Sequence, residues 1–399
     1  MPWMETDAMS QRIRFVRLVI GEGVSIREAS RRFGVSAKTG HKWLARFRAS
    51  FEVACLADRS RRPHQSPEQI DSEVEQRIVA LRKRHGWGGR KLQTLLAREG
   101  VTVSARTVDR VIRRQGLTRL RAVMGRAVRR FERAQPNELW QIDFKGQYWL
   151  DPRGALFPLS VLDDHSRYAV SLTSLQGTAG RPVWQALELS FDEYGLPDAV
   201  LIDHGTPWYS TSNQSGLTWL SVRLLKQDIR LLLSGVRHPQ TQGKVERFHQ
   251  TLDQTLRHWG RGDSFEALAA QLRRFRREYN ELRPHEALSL KTPAECYQPS
   301  ARRYVPHGRP WEYEQGEVRR LNPAGALRYR GVQYFVSEAL AGEQVSCLDM
   351  GDQLVIQFHR MYVRQIDLVG RRTYPLLIAV DEPGSWPSPG PGAGQEPVD

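Results

Sequence analysis

The sequence predicts a multidomain chain with three parts: an all-α N-terminal part, a central α/β part with a mixed five-stranded sheet and helices, and a small C-terminal β-barrel. Three observations predict this order. Basic residues are concentrated in the first 135 residues, apolar periodicity changes from helical to strand-like after Pro136, and short alternating segments follow residue 310. With 399 residues, 40% of them hydrophobic, the chain is long enough for about two to four domains.

The charge of the chain is distributed unevenly. The formal net charge is +15, and residues 1–135 carry 30 Lys and Arg against 13 Asp and Glu, whereas the remainder carries 29 against 31. A strongly basic segment favours a polyanionic partner, so we expect double-stranded DNA to bind the N-terminal part.

Cysteine usage and hydropathy limit the class of protein further. Cys55, Cys296 and Cys347 are far apart and form no CxxC pair, which argues against a disulfide framework or a zinc site. No apolar run approaches the roughly 18 residues that a membrane span needs. We therefore expect a cytoplasmic protein that does not bind membranes.

Residues 10–58 have the pattern of a helix-turn-helix domain. Apolar residues at helical spacing are interrupted by Gly21 and Gly23, and the tight turn at Gly34 leads into a third helix. Gly40 is unfavourable inside that helix, by about 1 kcal/mol relative to Ala. An alternative is a small basic bundle without sequence preference. The third helix leaves five residues for DNA, namely Lys38, Thr39, His41, Lys42 and Arg46.

Residues 66–118 repeat a helical pattern around a Val101 and Val103 pair, which predicts a second, winged-helix-like domain. Its Trp-Gly-Gly-Arg-Lys-Leu segment offers Arg90 and Lys91 to DNA. Residues 119–135 then form a basic linker, which is either a solvated tether or a phosphate contact. Its candidate DNA contacts are Arg126, Arg129 and Arg130.

Residues 136–300 follow a different order: three strands, then helix, strand, helix, strand and helix. Asp143 lies near the middle of the first strand, and Asp203 ends the fourth. Glu246 lies on the last helix, at residues 242–259. Active-site groups commonly lie beyond the carboxyl ends of such strands, which makes Asp203 a candidate catalytic residue.

Five motifs accompany this order of elements. They are Trp140-Gln-Ile-Asp143-Phe, Val161-Leu-Asp-Asp-His-Ser-Arg, Asp203-His-Gly-Thr-Pro-Trp, Gly243-Lys-Val-Glu246-Arg-Phe, and Tyr279-Asn-Glu-Leu-Arg-Pro-His-Glu-Ala-Leu288 with Thr292-Pro293. Together they resemble the ribonuclease-H-like core of retroviral integrases and of DDE insertion-sequence transposases. The resemblance extends over roughly residues 12–300.

The resemblance implies a DNA transposase that binds the ends of a mobile element, cleaves them and joins their 3′-hydroxyls to target DNA. Asp143, Asp203 and Glu246 correspond to the family's catalytic residues and metal ligands, which implies two Mg²⁺ (or Mn²⁺) ions per active site. It also implies a homo-oligomer on DNA in a prokaryotic cytoplasm, associated with the nucleoid when bound to DNA. The chain has His204 where relatives commonly have Asn.

Other residues near these motifs have supporting or DNA-contacting interpretations. The turn setting of Asp163 and Asp164 favours a hairpin or a supporting function, and His238 is either a supporting or a structural residue. Gly243 allows a DNA backbone to approach closely. Lys244 and Arg247 lie on the flank of the helix, where they either contact phosphates or remain solvated.

The C-terminal part is predicted to be a small β-barrel at residues 310–375, followed by a disordered tail at residues 380–399. The family resemblance implies that such a module assists DNA binding or assembly, and its modest charge is equally compatible with an interaction domain. Two other functions share parts of this pattern: a transposase-derived DNA-binding regulator with an inactive core, and a simple nuclease. The intact acids argue against the first, and the long basic N-terminal part argues against the second.

Overall fold

The computed structural model of the protein describes residues 7–59, 70–118, 132–150, 154–210, 216–234, 243–308 and 310–380. The chain divides into two compact units, Met1–Ile70 and Asp71–Asp399. Within the described ranges, no helix combines the length and apolar character needed to cross a bilayer. The predicted tail falls outside these ranges beyond residue 380, as do linker residues 119–131 with Arg126, Arg129 and Arg130.

The first unit is a three-helix module. Its helices are α1 (Ala8–Ile20), α2 (Ile26–Arg32) and α3 (Ala37–Ser50). Each begins at a polar cap, because the side chains of Asp7, Ser25 and Ser36 accept hydrogen bonds from first-turn backbone nitrogens. Phe15 and Trp43 lie in its buried core. This arrangement agrees with the helix-turn-helix prediction.

Close packing explains why glycine occupies position 40, in the middle of α3, despite its low helix propensity. A Cβ atom added at Gly40 would lie 2.5 Å from Ser30 Oγ and 2.8 Å from Phe15 Cζ. Glycine therefore allows α3 to pack closely against α1 and α2. The cost in helix propensity is offset by closer contact with the core.

The second module is also built from three helices: α4 (Ser72–His85), α5 (Gly89–Arg98) and α6 (Ala105–Arg114). The winged-helix prediction is wrong for this segment, because its described residues contain no strand. Val101 donates a backbone hydrogen bond to Leu96, and Ser104 caps α6. Val101 and Val103 thus belong to a short interhelical connection, and no described residue of this module forms a strand beside them.

This second module packs against the central domain through specific polar contacts. His258 Nε2 lies 2.7 Å from the Lys83 carbonyl oxygen, and Arg98 Nη2 lies 2.9 Å from Glu295 Oε2. His85 stacks on Trp87, with ring centroids 4.5 Å apart. The three helices therefore form part of the same compact unit as the central domain.

The described residues of the central domain form a mixed sheet and four α-helices. In chain order the elements are β1 (Trp140–Phe144), β2 (Tyr148–Trp149), β3 (Ala155–Asp163), β4 (Ala169–Leu175), α7 (Gly180–Tyr194), β5 (Ala199–Ile202), α8 (Trp219–Lys226), β6 (Arg230–Leu233), α9 (Gly243–Trp259) and α10 (Phe265–Arg277). Strands β4, β3 and β1 pair antiparallel, whereas β1, β5 and β6 pair parallel. The five-stranded mixed sheet is confirmed, and the short β2 extends it beside β3.

Helices α9 and α10 cover part of this sheet. Val245, Phe248 and Leu252 on α9 are buried in a cluster that also contains Ala169 and Leu172 of β4. Burying these apolar faces fixes α9 against the sheet. The packing brings the first turn of α9 towards β1.

The C-terminal part consists of seven strands. They are β7 (Glu317–Arg320), β8 (Ala326–Tyr329), β9 (Val332–Phe335), β10 (Gln344–Asp349), β11 (Gln353–Phe358), β12 (Met361–Asp367) and β13 (Arg372–Ala379). The pairings give a five-stranded antiparallel sheet with β13 and β7 at its ends, and a separate β8–β9 hairpin. The all-β prediction agrees with this structure, but closure into a barrel is not confirmed.

Candidate active site

Strand pairing brings two of the three predicted acids to one edge of the sheet. Trp140 pairs with Val200 and Gln141 with Leu201 in the parallel ladder between β1 and β5. Continuing that register for two residues places Asp143 beside Asp203, which directly follows β5. Neighbouring residues of a parallel ladder project from the same face, so their carboxylates share one side of the sheet.

The third acid comes from the helix that packs on this sheet. Glu246 lies in the first turn of α9, next to the fully buried Val245. The Glu246 side chain is exposed, whereas Asp143 retains 23% of its side-chain exposure. An acid at this helix terminus is also favoured by the partial positive charge of the helix dipole.

The electrostatics of Asp143 indicate that the three acids influence one another. Burial, together with the negative charges of Asp203 and Glu246, raises the pKa of Asp143 to about 7, while the positive charge of Lys145 opposes this shift. A carboxyl surrounded by other carboxylates is costly to ionise. A bound cation would relieve this repulsion.

The chemistry of the donors suits a hard divalent cation, because all three candidates supply carboxylate oxygens. In the part of the chain that the structure describes, no three His, Cys, Asp or Glu side chains form a closely converged cluster. Asp203 and Glu246 are near enough to Asp143 to affect its ionisation.

His249 was not among the candidate residues, yet it contacts the site. Its Nδ1 atom lies 3.7 Å from Asp143 Oδ2, and its Nε2 atom lies 2.9 Å from the Ser160 hydroxyl. Burial lowers the pKa of His249 to about 3, so the ring is neutral near pH 7. The only sequence signal was its position three residues after Glu246, on the same side of the helix.

Asp164 has the surroundings of a supporting residue. It is fully buried, and its carboxylate accepts hydrogen bonds from Gln141 Nε2 at 2.8 Å and from the Arg133 backbone nitrogen at 2.9 Å. Neighbouring Asp163 is also fully buried and accepts hydrogen bonds from Asn137 and Ser166. Both acids therefore organise the turn after β3.

The structure pairs Lys244, a predicted DNA contact, with a buried acid. Lys244 Nζ lies 2.6 Å from Asp164 Oδ2 and 3.0 Å from the Asp164 carbonyl oxygen. Its side chain is only 14% exposed, because the ammonium group turns inward to this buried carboxylate. Arg247, by contrast, is exposed and lies 3.4 Å from Gln250 Oε1.

Two of the remaining site candidates can be located. The His204 ring packs edge-on against Tyr209, with centroids 5.2 Å apart, beside Asp203. Gly243 is exposed, and a Cβ atom added there would meet no atom of the described residues within 4 Å. His238 lies outside the described residues.

The predicted DNA contacts of the first module occupy one helix. Lys38, His41 and Lys42 are exposed on α3, whereas Thr39 and Arg46 are half-buried. Thr39 takes part in the cap of α3, since its hydroxyl lies 2.9 Å from Ser36 Oγ. Lys42 Nζ and Arg46 Cζ lie 4.9 and 4.7 Å from the centroid of the Trp43 ring. These contacts hold both side chains beside the exposed face of α3.

The second module exposes more basic residues than the sequence analysis named as candidate DNA contacts. Arg90 is exposed and Lys91 half-buried on α5. Helix α6, which follows the turn after α5, exposes Arg106, Arg110 and Arg113. Their spacing of three and four residues places them along one face, a signal that was present in the sequence but was not used.

Comparison with known proteins agrees with this architecture. Residues 11–64 match the family described as helix-turn-helix domain, residues 39–112 the homeodomain-like domain, and residues 227–293 the integrase core domain. The chain is 30% identical over 240 residues to the insertion element IS407 uncharacterized 31.7 kDa protein of Burkholderia multivorans, spanning 57% of this chain and 82% of that protein.

Two further similarities extend the comparison. The transposase for transposon Tn552 of Staphylococcus aureus is 30% identical over 139 residues, spanning 31% of this chain and 28% of that protein. The HTLV-2 integrase catalytic core domain in complex with magnesium has 16% identity and a TM-score of 0.33, covering 41% of this chain and 97% of that one.

DNA-binding modules joined to an integrase core define a polynucleotidyl transferase that acts on DNA. Because the Burkholderia relative is 30% identical along 82% of its length, the chain belongs to the DDE insertion-sequence transposase family. It is a DNA transposase, and metal-dependent phosphoryl transfer is general to this family.

Proposed function

We propose that Asp143, Asp203 and Glu246 are the catalytic acids of this transposase and that together they hold two Mg²⁺ ions. The observation that carries the proposal is the raised pKa of Asp143, to which both other acids contribute. Asp143 is central in this arrangement and would contact both ions. Asp203 would hold one ion and Glu246 the other.

The reaction consists of two displacements at phosphorus. Water first breaks a phosphodiester bond at the element's end and frees a 3′-hydroxyl. That hydroxyl then attacks a target phosphorus, forming one P–O bond while the target's own P–O3′ bond breaks. The bound ions would stabilise the entering and leaving oxygens. Asp143, Asp203 and Glu246 would hold these ions at the sheet edge, and no protein nucleophile is required.

The helical modules supply DNA recognition in this proposal. Helix α3 presents Lys38, His41 and Lys42, and helix α6 presents Arg106 and Arg110, so each module has one basic helix for a groove or for phosphates. Gly243 leaves space for the DNA backbone at the start of α9. Synapsis of two element ends would require a homo-oligomer on DNA, and the bacterial insertion-element relatives support action in a prokaryotic cytoplasm.

The test uses purified full-length protein, Mg²⁺ and duplexes copied from the DNA that flanks the coding region. We expect end cleavage and strand transfer from the wild type, and loss of both in Asp143→Asn, Asp203→Asn and Glu246→Gln with DNA binding retained. Glu281→Gln removes an exposed acid elsewhere and is the matched control. Strand transfer by the three variants at the wild-type rate would refute the assignment.

A further inference from the structure

We propose that Gln141 is a positioning residue that sets the location of Glu246 relative to Asp143. The proposal rests on the proposed role of Glu246 as a metal ligand. Gln141 would act through the backbone of α9 and through Asp164, without touching metal or DNA itself.

The connection is a short chain of hydrogen bonds between β1 and α9. The Val245 backbone nitrogen donates to Gln141 Oε1 at 3.2 Å, and Gln141 Nε2 donates to Asp164 Oδ1 at 2.8 Å. Gln141 and Asp164 are both fully buried. Because water does not compete for these groups, breaking the bridge would leave buried polar atoms without partners.

Asp164 is itself held from two directions. The Arg133 backbone nitrogen donates to Asp164 Oδ2 at 2.9 Å, and Lys244 Nζ lies 2.6 Å from the same atom. Lys244 belongs to the first turn of α9. The start of α9 is therefore attached to β1 through Gln141 and to the turn after β3 through Lys244.

The periodicity of the two elements gives this attachment a defined register. Gln141 and Asp143 are two residues apart on β1 and so share one face, while Val245 and His249 are four residues apart on α9 and share another. Val245 meets Gln141, and His249 meets Asp143. Slipping α9 by one residue would break both contacts and rotate Glu246 by about 100° around the helix axis.

The expected consequence is a change in metal affinity. Residues that orient metal ligands through hydrogen bonds, without binding the metal themselves, typically contribute about 10- to 100-fold to metal affinity or activity. Gln141→Met removes both hydrogen bonds while nearly preserving side-chain length. We expect this variant to need at least about tenfold more Mg²⁺ for half-maximal end cleavage, with rates partly restored at saturating Mg²⁺ and DNA affinity unchanged.

The matched control is Gln227→Met, which alters another buried glutamine. Gln227 Nε2 donates to the Val305 carbonyl oxygen at 2.7 Å, away from the three acids. Both substitutions should lower thermal stability, but only Gln141→Met should change the Mg²⁺ requirement. Where Gln141→Met does not fold, Gln141→Asn retains the amide but shortens its reach, and the same change in Mg²⁺ requirement is expected.

A double-mutant comparison separates this inference from the function on which it rests. Mn²⁺ affinity is measured by calorimetry for Gln141→Met, Glu246→Gln and the combined variant. If Gln141 acts through Glu246, the combined variant binds Mn²⁺ no more weakly than Glu246→Gln alone. An additive loss, or an unchanged Mg²⁺ requirement in Gln141→Met, would overturn the positioning role but not the role of Glu246. Full activity in Glu246→Gln would overturn both.

Discussion

The Nδ1 atom of His249 lies 3.7 Å from the Oδ2 atom of Asp143, yet burial keeps this imidazole neutral by lowering its pKa to about 3. His249 therefore provides no positive charge to compensate Asp143 near neutral pH. We expect His249→Gln, which retains a hydrogen-bonding group beside Ser160, to leave the pH midpoint of DNA cleavage unchanged. A midpoint displaced by one pH unit or more in a pH–rate profile would contradict this interpretation.

Protons should compete with metal at Asp143. Because the pKa of Asp143 is raised to about 7, this carboxyl is largely protonated below pH 7 and ionised above it. We expect the Mg²⁺ concentration for half-maximal cleavage to rise as pH falls from 8 to 6, by about tenfold per pH unit at the lower end. The titration is measured at constant ionic strength. A requirement for Mg²⁺ that does not vary with pH would contradict the raised pKa.

The same raised pKa has a consequence for stability in the absence of metal. Between the ordinary pKa of 3.8 and about 7, the folded protein binds the Asp143 proton more tightly than the unfolded chain does, so stability decreases as pH rises through this window. Asp143→Asn removes the ionised form and should stabilise metal-free protein at pH 8 by about 1 to 3 kcal/mol.

Urea unfolding at pH 8 and pH 5 measures this effect. The gain from Asp143→Asn should shrink at pH 5, where the wild-type carboxyl is already mostly protonated. Glu281→Gln changes an exposed acid and serves as the control. Destabilisation by Asp143→Asn at pH 8 would show that its charge is not a source of repulsion.

Two glycines should respond differently to alanine. Gly40→Ala places Cβ within 2.8 Å of Ser30 and Phe15 atoms, so we expect the first module to lose about 1 to 3 kcal/mol of stability.

Gly243→Ala meets no atom of the described residues within 4 Å and should leave thermal unfolding unchanged. It should reduce strand transfer, since the new methyl group occupies the proposed DNA path. Full strand transfer by Gly243→Ala would contradict that path.

DNA recognition by α6 can be tested at a single exposed arginine. We expect Arg110→Ala to weaken DNA binding and to reduce the slope of log affinity against log salt by about 1, as for loss of one phosphate contact. Arg77→Ala, on α4 of the same module, removes an exposed arginine paired with Glu99 and is the matched control. Equal effects of the two substitutions would show that the contribution of α6 is not specific.

Local patterns were sufficient to locate Asp143 and Asp203. Asp143 lies on a strand that alternates apolar and polar residues, and Asp203 directly follows a strand that is apolar throughout. The parallel pairing of β1 with β5 makes their positions adjacent. The winged-helix prediction failed because a pair of valines suggests a strand, while a wing requires a second strand to pair with it. Sequence spacing does not provide that information.

Long-range contacts account for the other differences. Lys244 looks like a solvated cation on a helix flank, but its partner Asp164 is 80 residues earlier in the chain. Gly40 appears unfavourable until Ser30 and Phe15 are placed against it. Such pairings depend on how elements pack in three dimensions, and a single sequence carries little signal for them.

Anomalous scattering from Mn²⁺ tests most directly whether Asp143, Asp203 and Glu246 together hold two divalent ions. The crystals would contain the protein bound to element-end DNA. We expect two Mn²⁺ peaks about 3.5 to 4 Å apart, both contacted by Asp143, one by Asp203 and the other by Glu246. Manganese bound elsewhere, with these three carboxylates making no contact to it, would show that they are not the metal ligands.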